Sequence, residues 1–152
     1  MHREKGGPIN GRYPIKNKHK YIGDPNNVWY RSSWELAFNN WLDKNDNVLE
    51  WKSEEIAIPY ISPKDGKQHK YYCDYWVRMK TNNGIKEFLI EIKPYNQVIK
   101  PKEPKRKTRQ YKEKVLTWLI NKQKWESAIQ YAEERNMTFK ILTERELFGK
   151  KK

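Results

Sequence analysis

One cysteine, three histidines and a shortage of acidic relative to basic residues each remove a class of chemistry from this chain. With Cys73 alone, an intrachain disulfide and a cysteine-built zinc site are both excluded. No apolar run approaches the roughly 18 residues that cross a bilayer, and residues 1–7 lack the apolar core of a secretory signal. The expectation is a soluble protein of the cytoplasm, or one packaged from it, with no membrane partner. His2, His19 and His69 are the only histidines. A histidine-based metal or general-base site would need one of them beside carboxylates, and His69 is about 15 Å from Asp74 at strand rise. Nineteen Asp and Glu against 32 Lys and Arg leave a net charge of +13, a field that draws polyanions and makes nucleic acid the leading partner.

Aromatic residues are plentiful: seven Trp, ten Tyr and four Phe. They oppose the disorder that 34% charged and 36% hydrophobic residues would otherwise suggest. A length of 152 residues suits one compact domain. Residues 1–27 are polar, basic and broken by Gly and Pro, and read as a flexible arm whose Lys18 and Lys20 help to hold phosphates. Residues 28–152 then form a single domain.

A helix is predicted over 32–43, where Ser32 and Glu35 have capping-box spacing and Trp34, Ala37, Phe38, Trp41 and Leu42 form an apolar stripe. Glu35 falls at the edge of that stripe. Strands are predicted over 48–51, 55–61 and 69–79, with a turn at 62–66. Asn82, Asn83 and Gly84 turn the chain back into a strand ending at 88–94, in which Phe88, Ile90 and Ile92 share one face and Leu89, Glu91 and Lys93 the other. An Asn83-Gly84 loop sets Asp74 opposite Lys93 and Trp76 opposite Glu91. An Asn82-Asn83 loop shifts the pairing by two and keeps Asp74, Glu91 and Lys93 on one face. A proline-broken basic loop over 95–107, a helix over 108–134, a strand over 137–142 and a capping box at Thr143 and Glu146 complete the chain. The order implies an α/β fold with a mixed β-sheet flanked by helices.

Asp74 and Glu91 on neighbouring strands, with the Ile92 carbonyl, offer the oxygen ligands that Mg²⁺ or Mn²⁺ prefers. Glu35 can complete that shell, and Lys93 can position a water or neutralise charge growing on a phosphate. The same residues also admit a plain cross-strand ion pair of Asp74 with Lys93, with Glu35 acting only as a cap. Among the basic residues, Lys100, Lys102, Lys105, Arg106, Lys107 and Arg109 follow directly on that strand and, with Arg31, read as backbone contacts to double-stranded DNA that carry little base specificity.

Asp74, then Ile90-Glu91-Ile92-Lys93, with Glu35 on a preceding helix, resembles the PD-(D/E)xK nuclease superfamily. The wording around Tyr30-Arg31-Ser32-Ser33-Trp34-Glu35, Trp51-Lys52-Ser53-Glu54-Glu55, Ile58-Pro59-Tyr60 and Ile90-Glu91-Ile92-Lys93-Pro94 is similar to the head-completion nucleases of T-even-like tailed phages. More distantly it resembles TnsA-type transposon endonucleases, in which a Thr-Glu like Thr143-Glu144 recurs. Tyr72-Cys73 stand where the superfamily name has a proline before Asp74. The resemblance implies a restriction-endonuclease-like fold and a metal-dependent DNA endonuclease. Glu35, Asp74, Glu91 and the Ile92 carbonyl would be its metal ligands and Lys93 its catalytic lysine. It also implies action on packaged DNA or its end, in the host cytoplasm or the virion, with the capsid portal or other head-completion proteins as partners. A non-catalytic DNA-binding head-completion protein and a branched-DNA resolvase are the alternatives.

Overall fold

A computed structural model describes residues 10–149 of the chain. Strand β1 (Gly11–Arg12) pairs antiparallel with β2 (Trp29–Tyr30) and leads into helix α1 (Ser33–Lys44). Ser32 caps that helix by accepting from the Glu35 amide at 3.1 Å. The expected reciprocal half of the box is displaced by one residue, because Glu35 Oε1 accepts from the Arg31 amide at 3.0 Å.

Strands β3 (Val48–Ser53), β6 (Tyr75–Thr81), β7 (Gly84–Ile92) and β8 (Thr138–Leu142) form the central sheet in the order β3-β6-β7-β8. The first two pairings are antiparallel and β7 with β8 is parallel. A parallel pair needs a crossover. Here it comprises the short α2 (Tyr95–Val98), a connecting segment and the 25-residue α3 (Arg109–Glu133). This is the mixed α/β architecture expected of a restriction-endonuclease-like domain. On one face Trp34, Phe38 and Leu42 of α1 pack against Trp51, Tyr75, Val77, Ile90 and Ile92. On the other, Trp125, Ala128 and Ala132 of α3 cover Leu89, Ile58, Tyr71 and Cys73. Helix α4 (Glu144–Phe148) follows β8 with the predicted capping box intact. Among the described residues no helix is long and apolar enough to cross a membrane.

Three expectations change. The strand predicted over 69–79 is two strands: β5 (Gln68–Tyr72) pairs with β4 (Ala57–Ile61) in a separate two-stranded sheet, while β6 enters the central one. The chain changes partners at the break, where the Cys73 amide donates to Ile56 and the Asp74 carbonyl accepts from Glu54 at 3.0 Å. Tyr71 and Cys73 therefore lie under α3 and Tyr75 and Val77 under α1, although an unbroken strand would face all four the same way. Second, Thr81 pairs with Gly84 and Tyr75 with Ile90, so the loop is Asn82-Asn83, the other of the two registers. Third, residues 10–27 are folded onto the domain rather than forming a flexible arm. Tyr13, Ile15 and Tyr21 are buried in the core, and the amides of Lys16 and Asn17 donate to the buried Asp43 carboxylate at 2.8 and 2.9 Å. These apolar side chains, sparse in a polar stretch, supply the burial that the composition of the stretch conceals. Residues 1–9 of the expected arm lie outside the described residues.

Candidate active site

The break in the strand is what builds the site. Asp74 sits between β5 and β6, and its Oδ2 accepts from the Ile92 amide at 2.8 Å, which fastens the carboxylate across the end of β7. Continuing the observed register by one step sets Asp74 opposite Glu91. Glu91 is only 6% exposed, and Tyr71 donates its hydroxyl to Glu91 Oε1 at 2.5 Å. Lys93, two residues on, holds its Nζ 3.9 Å from Glu91 Oε2 and is partly open to solvent. An Asn83-Gly84 loop would have set Lys93 opposite Asp74; in the observed register, shifted by two, Lys93 forms an ion pair with Glu91.

Glu35 lies in the first turn of α1. Its carbonyl accepts from the Tyr75 hydroxyl at 3.3 Å, and that hydroxyl also donates to Asn39 at 2.6 Å. Burial raises the Tyr75 pKa well above the usual tyrosine value, and the charges of Glu35, Asp74 and Glu54 push it the same way. Tyr71 is likewise held far above the ordinary range by burial and by Glu91, and the Cys73 thiol is raised by burial, Glu91 and Asp74. These three groups therefore stay protonated: the tyrosines serve as donors and the cysteine is inert. Among the described residues, no group of three or more His, Cys, Asp or Glu side chains forms a cluster able to hold a metal ion. The carboxylates that meet at the end of β7 are Asp74 and Glu91, with the Ile92 amide bound to Asp74.

Residues 45–144, spanning β3 to the start of α4, match the family model described as TnsA-like endonuclease N terminal. The head completion nuclease of Enterobacteria phage T4 is 41% identical over 138 residues, covering 88% of this chain and 90% of that protein. The chain belongs to the head-completion nuclease family. As a member it carries a PD-(D/E)xK-like nuclease domain, distantly related to TnsA. The stretch shared with TnsA contains Asp74, Glu91, Ile92 and Lys93, whereas Glu35 precedes it. It also contains Thr143 and Glu144, and Glu144 Oε1 accepts from the Tyr95 amide at 2.9 Å, tying down the chain just after Pro94.

The basic residues of this family member separate into distinct groups. Lys20 is buried, and its ammonium donates to the carbonyls of Leu42, Asp43 and Asn45 at 2.7, 3.0 and 2.8 Å, so it closes the C-terminus of α1 instead of facing a phosphate. Lys18 is exposed. Arg31 is exposed and pairs with Glu54 at 2.6 Å. Lys100, Lys102, Lys105, Arg106, Lys107 and Arg109 are all exposed, with Lys107 3.4 Å from Glu103 and Arg109 3.5 Å from Glu113. Their segment flanks a cleft of about 860 Å³ against the first half of α3, lined in part by Lys102, Tyr111 and Trp118. His69 pairs with Asp65 at 2.9 Å in the β4–β5 turn and has no part in the site.

Two residues near these carboxylates escaped the sequence. An unbroken strand over 69–79 would turn Tyr71 to the face away from Asp74, and the strand break reverses this. Lys124 is one basic residue among 32 and carries no local signal; its ammonium lies 5.8 Å from the centre of the Tyr71 ring.

Proposed function

We propose that this chain is a divalent-metal-dependent DNA endonuclease that hydrolyses phosphodiester bonds with little sequence specificity and acts on packaged DNA or its end during phage head completion. One observation carries the reading: in a member of the head-completion nuclease family, Asp74 and Glu91 meet at the end of β7 with Lys93 beside Glu91. Magnesium needs no dense cage. It binds through one or two carboxylates and completes its shell with water and substrate phosphate, so a pair of carboxylates with a carbonyl suits it, whereas a structural zinc would demand four protein ligands.

Asp74, Glu91 and the Ile92 carbonyl would hold the ion, with Glu35 as the further carboxylate. When bound, Mg²⁺ or Mn²⁺ supplies an acidified water and a counter-charge for the phosphate. The chain's own residues do the rest. Tyr71 orients Glu91 through its hydroxyl, Asp74 is fixed by the Ile92 amide, and Lys93 neutralises charge on the phosphate oxygens as the P–O bond breaks. Lys18, Arg31 and the basic residues from Lys100 to Arg109 grip the duplex backbone, positioning DNA without reading its bases. The capsid portal or another head-completion protein would bring the enzyme to its substrate in the host cytoplasm, with incorporation into the virion.

The test is nicking of plasmid DNA with Mg²⁺, Mn²⁺ or EDTA. Metal-dependent product is expected from the natural chain, and Glu91→Ala and Lys93→Ala should each abolish it while melting like the parent. Undiminished cleavage by both variants would refute the mechanism. Salt-sensitive DNA binding with no product under any condition would leave a structural DNA-binding protein. Preferential cleavage of four-way over linear DNA would identify a resolvase.

A further inference from the structure

A second lysine reaches Tyr71, the partner of Glu91, from a part of the chain remote in sequence. Lys124 lies past the midpoint of α3, and its ammonium stands over the rings of Tyr60 and Tyr71, 5.6 and 5.8 Å from their centres. Tyr71 is the residue whose hydroxyl holds Glu91. Glu91 in turn lies 3.9 Å from the Lys93 ammonium. Lys124 is partly buried; burial lowers its pKa, Lys93 pushes it the same way and Glu91 opposes both. Lys93 thus pairs with Glu91 directly, and Lys124 stands over the tyrosine that holds the same carboxylate.

Like charges repel at short range, and partial burial strengthens the repulsion by removing water. The Lys124 ammonium rests on the faces of Tyr60 and Tyr71. Tyrosine rings attract a cation only through their quadrupole, a weaker hold than a full negative charge. An anion bound between the two ammonium groups would relieve that repulsion, and the anion that a nuclease site receives is a phosphodiester. The exposed lysines of the 100–109 segment differ in kind, because they pair with neighbouring glutamates or stand in water.

We propose that Lys124 is a phosphate-binding residue of the active site, forming with Lys93 a two-pronged cationic grip on the DNA strand held against Glu91. This rests on the nuclease reading above, so its test includes a readout independent of cleavage. Lys124→Met keeps the apolar stem over Tyr60 and Tyr71 but removes the charge; Lys124→Arg keeps the charge. Affinity for a short DNA duplex is measured in EDTA across a salt series. The Met variant should bind several-fold more weakly, with a slope of log affinity against log salt smaller by about 0.9, the loss of one phosphate contact. The Arg variant should restore both. With Mg²⁺, kcat/KM of the Met variant should fall about tenfold or more, while its Tm stays that of the parent.

If the natural chain fails to cut, the nuclease reading falls, and the salt series still decides the role of Lys124. An unchanged slope and affinity in the Met variant overturns the proposal. A lowered Tm with unchanged binding overturns it too, because Lys124 would then only pack the tyrosines. Should the Met variant not fold, Lys124→Gln serves for the same comparison.

Discussion

Replacing Lys20 by Met separates a structural lysine from a DNA-binding one. The substitution keeps an unbranched apolar stem and deletes an ammonium that donates to the carbonyls of Leu42, Asp43 and Asn45 at 2.7, 3.0 and 2.8 Å. Those carbonyls belong to the last turn of α1 and the residue after it, where a helix has no internal donors left. Lys20 is 6% exposed, so water cannot take over. Hydrogen bonds to a charged group contribute about 1.5 to 3 kcal/mol each, and three would sum to about 4.5 to 9 kcal/mol. Losing the ammonium also removes its desolvation cost of several kcal/mol. The net loss should be about 2 to 4 kcal/mol, or roughly 5 to 15 °C in Tm for a chain of this size. Burial lowers the Lys20 pKa, against the opposing charges of Asp43 and Asp46. Between that lowered value and the usual lysine value the unfolded chain binds more protons, so stability rises with pH there, and the Met variant should lack the rise. Urea denaturation and thermal melts measure the loss, and DNA affinity in EDTA should not change. A loss below about 0.5 kcal/mol, or intact stability with weakened DNA binding, would refute the assignment.

Two further outcomes follow from single contacts. Tyr71→Phe deletes the hydroxyl that orients Glu91, and calorimetry with Ca²⁺ as a non-cleaving probe should show divalent-ion affinity lowered about tenfold or more; unchanged affinity would remove Tyr71 from the site. At α4, the Thr143 amide and hydroxyl donate to Glu146 Oε1 at 2.6 and 2.8 Å, and the amide bond holds the Glu146 carboxyl below the usual glutamate range. A depressed carboxyl stabilises the fold above the ordinary glutamate pKa and loses that contribution as pH falls through the lowered value. Glu146→Gln should therefore flatten the acid limb of a Tm-against-pH curve, and Thr143→Ala should cost about 1 kcal/mol at neutral pH.

Local chemistry made much of this fold legible. Ser32 and Thr143 announced two helix starts because a capping side chain acts within four residues, and both caps form. Asn82, Asn83 and Gly84 announced the hairpin, and the two candidate registers kept Asp74 and Glu91 on one face, so the pair survived the choice between them. The helix read over 108–134 forms as α3, continuous through the polar residues 121–124.

The arm failed for a different reason. Composition averages over a segment, and three buried aromatic or aliphatic side chains, Tyr13, Ile15 and Tyr21, are too few to alter the average while being enough to fix the chain. Lys20 misled for the same reason, because charge counted along a sequence says nothing of which ammonium lies beneath a helix end.

The sequence by itself determined the parts of the site that depend on period and order: Glu91 and Lys93 alternating on one strand, Asp74 before the turn, Glu35 at the head of a helix. Only the tertiary structure decided what surrounds each. The switch of partners at Cys73 and Asp74 turns Tyr71 and Tyr75 to opposite faces of the sheet, which brings Tyr71 to Glu91 and Tyr75 to Glu35. The crossover then lays Lys124 over Tyr71, 33 residues beyond Glu91 in sequence (124 − 91). No local pattern encodes such contacts, because they arise from where a strand breaks and which face a distant helix covers.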